Sequence, residues 1–231
     1  MRRPLVIYGA GGFGREVAQL VEDINCAGGK WQLLGFIDDD RSLHGSLIGE
    51  LPVLGNENYL CGLAKPPAVA LGVGFPRAKR EIVQKLTRRC PGIEFPSLVH
   101  PSAIIGRRVR IGTGTLITAN CVITVDVEIG NFVLLNLSST VGHDAVIGDF
   151  SSCYVNVNLA GFSKLEDGVE MGTGSIVIPG KKVGSGSVIG AGAVVVNDVP
   201  EDVVAVGVPA RVVKQVEEPW RSSLQPSMVS G

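Results

Sequence analysis

Proton transfer near neutral pH is most often the work of histidine, and this chain has three: His44, His100 and His143. His44 lies in a stretch that reads as a loop, and His100 precedes Pro101. His143 has a carboxylate, Asp144, at the next position. Such a pair can act as general base and orienting acid. Gly161 follows His143 by 18 residues. Its backbone N–H could stabilise an oxyanion in acyl transfer, and its missing side chain leaves room for the acyl donor. A second group suits phosphate. Gly9-Ala10-Gly11-Gly12-Phe13-Gly14 matches G-x-G-x-x-G, and Asp38-Asp39-Asp40 begins 24 residues past Gly14. A zinc centre built from histidines is not expected, because only His143 lies in the body of the repeat described next.

These residues need elements to hold them. Stepping by six from Ile105 gives Ile111, Ile117, Ile123, Ile129, Leu135, Val141, Ile147, Cys153, Leu159, Leu165, Met171, Val177, Val183, Ile189 and Val195. Every one is apolar, with no insertion. A period of six fits neither a helix at 3.6 nor a single strand at two. It fits a three-sided parallel β-helix with one hexad per side and coils stacked about 4.8 Å apart. The fifth position is mostly small or β-branched, as in Thr115, Ser139, Ser151 and Ser187, and lets the chain turn at each corner. One coil is then 18 residues, which stacks Gly161 on His143. Adjacent residues of a strand point to opposite faces. A His143–Asp144 contact therefore requires turn geometry or a second subunit.

Residues 1–98 read as a separate βαβ domain. Strands are expected at Leu5 to Tyr8, Leu33 to Ile37 and Ala68 to Leu71, with helices after Gly14 and from Arg77 to Arg89. About 95 residues are too few for a full dinucleotide fold, so the glycine turn predicts a mononucleotide half-site. Residues 99–212 form the β-helix, closed by Ala205 to Arg211, and residues 213–231 are expected to be a short helix and a loose tail.

Bulk composition narrows the function. Charged residues are 19% and the formal net charge is −1, which argues against nucleic acid as a partner. No run of 18 apolar residues suggests a membrane span, and the glycine-interrupted start does not read as a signal peptide. The five cysteines form no C-x-x-C pair, so a reduced cytoplasmic protein is expected rather than a disulfide framework.

Three features together carry a family resemblance: YGAGGFG with FIDDD, the hexad region with NLSSTVGHDAVIG, and the closing VGVPARV. Over nearly its full length the chain resembles the PglD- and NeuD-like sugar N- and O-acetyltransferases. The resemblance implies a left-handed coil and a homotrimer with active sites between subunits. It also implies acetyl-CoA as donor and a nucleotide-linked amino sugar held by the N-terminal domain. By the same resemblance His143 is the base, Asp144 follows it, and Gly161 contacts the thioester carbonyl. Asn136 and Ser138 would meet the sugar, as would Gly11, Gly12, Phe13, Asp38 and Asp39 its nucleotide. Ser152, Thr173, Gly190 and Ala191 would join Gly161 along acetyl-CoA. One departure stands out: relatives carry a second histidine where this chain has Ser152, which can donate a hydrogen bond but cannot take up a proton. The expected function is N-acetylation of a UDP- or dTDP-linked amino-dideoxy sugar. Alternatives are O-acetylation of sialic acid or a related sugar, and a non-catalytic nucleotide-binding scaffold.

Overall fold

The computed structural model describes residues 2–220. The N-terminal part is an α/β layer: β1 (Arg3–Tyr8), α1 (Gly12–Cys26), β2 (Trp31–Ile37), β3 (Leu47–Ile48), β4 (Leu51–Gly55), α2 (Glu57–Cys61), β5 (Ala68–Leu71) and α3 (Pro76–Arg89). The sheet order is β3-β4-β2-β1-β5. All its pairs are parallel except β3 with β4. The three expected strands and two expected helices are present. β3, β4 and α2 were not foreseen; their short apolar stretches carry no periodic pattern.

The rest of the described chain is a left-handed parallel β-helix. Two-residue strands stack into three faces. The first face carries Val122–Ile123, Thr140–Val141 and Asn158–Leu159, the second Glu128–Ile129, Val146–Ile147 and Lys164–Leu165, and the third Leu116–Ile117, Leu134–Leu135 and Ser152–Cys153. Every parallel register joins residues 18 apart, as Thr140 with Asn158. The hexad aliphatics from Ile117 to Val195 are all buried, while Ile105 and Ile111 sit at the open first coil.

The corners turn by a different residue from the one the sequence suggested. The fourth hexad position takes a positive φ, including Asn120, Asp126, Phe132, Asp144, Phe150 and Phe162. The frequent glycine at the second position serves close packing instead. A Cβ on Gly106 would lie 1.9 Å from the Thr124 carbonyl oxygen of the next coil.

Val203–Val206 adds to the third face, and Arg211–Gln215 pairs with it antiparallel. The helix expected just past 212 is thus a strand through Gln215, because the stack ends in a hairpin. Trp220 is 4% exposed and packs over the Gly168 and Gly186 corners. The remainder of the expected tail lies outside the described residues.

The N-terminal layer sits on the third face. Val17, Leu20 and Val21 of α1 share one apolar cluster with Leu98, Leu116 and Leu134. From α3, the buried Lys79 ammonium donates to the carbonyls of Phe132 (2.7 Å) and Ser151 (3.2 Å). Arg80 stacks over the Trp220 ring at 3.6 Å.

The cysteine expectation is corrected. Cys61, at the end of α2, and Cys90, capping α3, form a disulfide with their Cα atoms 4.9 Å apart. They are 29 residues apart, so only the packing of α2 beside α3 brings them together. Cys26, Cys121 and Cys153 are free.

Candidate active site

His143 stands at the corner between the first and second faces. The turn geometry foreseen as a requirement is present: Asp144 has φ 57°. That reversal swings its carboxylate back to its neighbour, and Asp144 Oδ2 lies 2.9 Å from His143 Nδ1. Both side chains are about half exposed. A carboxylate at Nδ1 favours the proton there, leaving the Nε2 lone pair as the base.

Gly161 stacks one coil above, as the 18-residue spacing predicts. Its missing side chain has a use the sequence did not suggest. A Cβ there would lie 2.6 Å from His143 Nε2 and 2.7 Å from Cε1. The imidazole occupies the space a side chain would take, so the opening first assigned to the acyl donor is filled by the base itself. Phe162, which sequence reasoning overlooked, completes the surround. Its N–H donates to the His143 carbonyl at 2.9 Å, and its ring stands edge-on to the imidazole with centroids 5.0 Å apart.

The other predicted residues fall elsewhere. Asn136 is 7% exposed, and its Oδ1 accepts from the Leu137 N–H (2.8 Å) and the Thr118 hydroxyl (3.2 Å). It works as a corner residue with its acceptor occupied. Ser138 is exposed at that same corner, between the third and first faces, and Thr173, Gly190 and Ala191 belong to later coils of it. In one chain these residues and His143 stand at opposite ends of the first face. Ser152 is fully buried, and its hydroxyl donates to the Gly74 carbonyl at 2.6 Å. The expected acetyl-CoA contact by its side chain is therefore corrected: Ser152 joins the two domains, because the third face is covered by the N-terminal layer.

At the nucleotide turn, Gly11 caps α1 with no side-chain hydrogen bond, and a Cβ on it would meet nothing within 4 Å. The first amides of α1 thus face open space, as an anion requires. Gly12 begins that helix, whereas the Phe13 side chain packs into the interdomain apolar cluster. Asp38 is engaged internally: Oδ2 accepts from the Ala10 N–H (2.8 Å) and Oδ1 from the Asp40 N–H (2.9 Å). It braces the glycine turn against β2.

Asp39 is the more available carboxylate. It accepts from the Tyr8 hydroxyl (2.7 Å) and from Lys85 Nζ (2.9 Å). Partial burial pulls its pKa upward, but the Lys85 and Tyr8 hydrogen bonds outweigh that and hold the carboxyl below its usual range. Burial and the bond to Asp39 push the Tyr8 phenol far upward. Glu57 and Arg89 extend the network. Lys85 and Arg89, four apart on α3, were legible as one helical edge but not as neighbours of Asp39.

His100 Nε2 lies 3.1 Å from Asp23 of α1, and His44 Nε2 2.8 Å from the Asp38 carbonyl. Both histidines brace loops. Among the described residues no group of three or more His, Cys, Asp or Glu side chains could hold a metal ion, and no helix is long and apolar enough to cross a membrane.

Comparison with known proteins agrees with this architecture. The PglD N-terminal domain family matches residues 4–86. A GDP-perosamine N-acetyltransferase of Escherichia coli O157:H7 is 30% identical, over 90% of this chain and 96% of its own. The acetyltransferase domain of PglB from Neisseria gonorrhoeae FA1090 superposes with a TM-score of 0.82 at 30% identity, covering 92% of this chain and all of that one. PerB from Caulobacter crescentus, in complex with CoA and GDP-perosamine, superposes with a TM-score of 0.79 at 28% identity, covering 91% of this chain and 97% of its own. The chain belongs to the PglD- and NeuD-like family of acetyl-CoA-dependent sugar acetyltransferases.

Proposed function

We propose that this protein N-acetylates the amine of a nucleotide-linked amino-dideoxy sugar, with His143 as general base. The single observation that carries the reading is the imidazole seated in the Gly161 gap with Nδ1 on Asp144. Asp144 accepts the Nδ1 proton, so Nε2 is free to take one from the attacking amine. The amine adds to the thioester carbonyl, the Gly161 N–H stabilises the oxyanion, and CoA leaves as the thiol. Asp144 then holds the imidazolium by charge.

Residues 1–98 bind the nucleotide part, residues 99–212 perform acyl transfer, and residues 213–231 form a tail. The phosphates meet the first amides of α1 beyond Gly11 and Gly12, and Asp39 with Lys85 faces the nucleoside. Asn136 and Ser138 line the sugar side, and Thr173, Gly190 and Ala191 the acetyl-CoA side.

The working unit is a homotrimer with sites between subunits. One geometric fact supports this. The N-terminal layer covers the third face, and the His143 corner lies opposite that face. A nucleotide sugar held by one chain therefore meets the base of another.

The test is thiol release from acetyl-CoA with UDP-, dTDP- and GDP-linked 4-amino-4,6-dideoxyhexoses; GDP is included because the relatives named above carry it. Turnover of one of them is expected, with His143→Ala slower by about 10²–10⁴. No thiol release with any of them, or an unimpaired His143→Ala, overturns the reading. Mixing inactive His143→Ala with inactive Asp38→Ala subunits should restore part of the rate if the site is shared.

A further inference from the structure

Three corner columns run along the β-helix, and each places its fourth hexad residue at positive φ. The column that carries the base reads Arg108, Asp126, Asp144, Phe162 and Gly180. Asp and Gly suit this backbone region; a bulky ring does not. Phe132 and Phe150 break the same rule in the neighbouring column, and there the reason is visible. Their rings stack at 5.0 Å, Phe95 stands edge-on to Phe132 at 5.3 Å, and Trp220 and α3 close over them. Those rings are the surface on which the N-terminal layer docks.

Phe162 has no such cover. It is 61% exposed, although its backbone is tied to the base through the bond to the His143 carbonyl. The ring stands perpendicular to the imidazole at 5.0 Å. Asp144 occupies Nδ1 and the Gly161 backbone lies against the ring near Nε2. Whatever delivers an amine to Nε2 must therefore pass beside an uncovered apolar ring.

From this we infer that Phe162 determines specificity for the acceptor: its exposed ring packs against the carbon substituent next to the amine-bearing carbon, and favours a methyl over a hydroxymethyl there. The inference rests on the assignment of His143 as base. In a 4-aminohexose, C6 is three bonds from the nitrogen. An amine within hydrogen-bond reach of Nε2 brings that carbon toward the ring. A methyl gains apolar contact with no polar group to desolvate, whereas a hydroxymethyl places its hydroxyl against a surface that offers no hydrogen bond. A single group of this size in an apolar wall discriminates by roughly 10- to 200-fold.

The test compares kcat/KM for a nucleotide-linked 4-amino-4,6-dideoxyhexose with that for its 6-hydroxy counterpart, on the nucleotide the wild type turns over fastest. The wild type should favour the 6-deoxy sugar by on the order of tenfold or more. Phe162→Asn removes the ring while easing the positive-φ backbone, so folding is not at risk. It should bring the two sugars within about twofold of each other, at the wild-type oligomeric state, and Phe162→Tyr should keep the preference. His143→Ala should lose both reactions alike; if it does not, the base assignment fails rather than the role of Phe162. An unchanged preference in Phe162→Asn overturns the inference. So does an effect confined to the KM for acetyl-CoA, which would assign the ring to the donor. Dissociation of the oligomer in Phe162→Asn overturns it as well, because the ring would then be a subunit contact.

Discussion

Gly161→Ala isolates the fit between base and backbone. The added Cβ would lie 2.6 Å from His143 Nε2 and 2.7 Å from Cε1, with Cδ2 at 3.1 Å. Ordinary contact begins at 3.4 Å, so Nε2 must retreat by about 0.8 Å. The ring is half exposed and sits at the end of a flexible side chain, so it can yield. Gly161 lies outside the positive-φ set, so alanine imposes no backbone strain. Stability should therefore change by less than about 1 kcal/mol, within the range of a substitution that makes no cavity. Catalysis is less forgiving. Displacing the ring that far pulls Nδ1 from its 2.9 Å contact with Asp144 and misaligns Nε2, and a misplacement near 1 Å costs roughly 10² in rate. Thiol release with saturating substrates should thus fall about 100-fold in kcat, while the thermal midpoint stays near that of the wild type. A wild-type kcat in Gly161→Ala would refute the claim that the imidazole must fill the Gly161 gap. A large loss of stability would show instead that the glycine serves the stack.

Two further expectations concern the domain junction and the N-terminal layer. Burial pushes the Lys79 ammonium down to about 7. The unfolded chain keeps it protonated to near its ordinary 10.5, so the unfolded state holds the extra proton above pH 7 and stability should rise with pH there. The buried Cys153 thiol, pushed up to about 12, opposes this above its ordinary 9.0, which confines the clean window to about pH 7–8.5. Denaturant midpoints should climb across that window by about 1–2 kcal/mol in the wild type and stay flat in Lys79→Met; equal slopes in the two would exclude Lys79. Opening the Cys61–Cys90 disulfide, which spans 29 residues, should lower the stability of the N-terminal layer by about 3–4 kcal/mol. Urea unfolding with and without reductant reads this, and superimposable curves would count against the bond.

Much of the architecture was written in local chemistry. Sixteen apolar residues at a strict six-residue step leave one way to bury them all, and that step alone stacks Gly161 over His143. The glycine turn before α1 was equally legible, because a tight turn into a helix demands small residues at fixed spacing. The roles of single residues were less so. Ser152 looked like a site residue from its distance to His143 along the chain. The stack puts it on another face, where the Gly74 carbonyl takes its hydroxyl. Asn136 kept its position, but its acceptor is used within its own corner.

What the amino-acid sequence determined by itself is what depends on period: the coil, its handed family, the apolar interior, and the pairing of base and glycine one coil apart. What only the tertiary structure decided depends on which surfaces meet. The turn at Asp144 brings two adjacent side chains together that alternation would have kept apart. The docking of the N-terminal layer on the third face buries Ser152 and Lys79 and leaves the His143 corner open on the far side. The packing of α2 beside α3 unites Cys61 with Cys90. None of these contacts has a periodic signature, because each joins segments whose separation along the chain obeys no repeat or is overridden by a single reversed backbone angle.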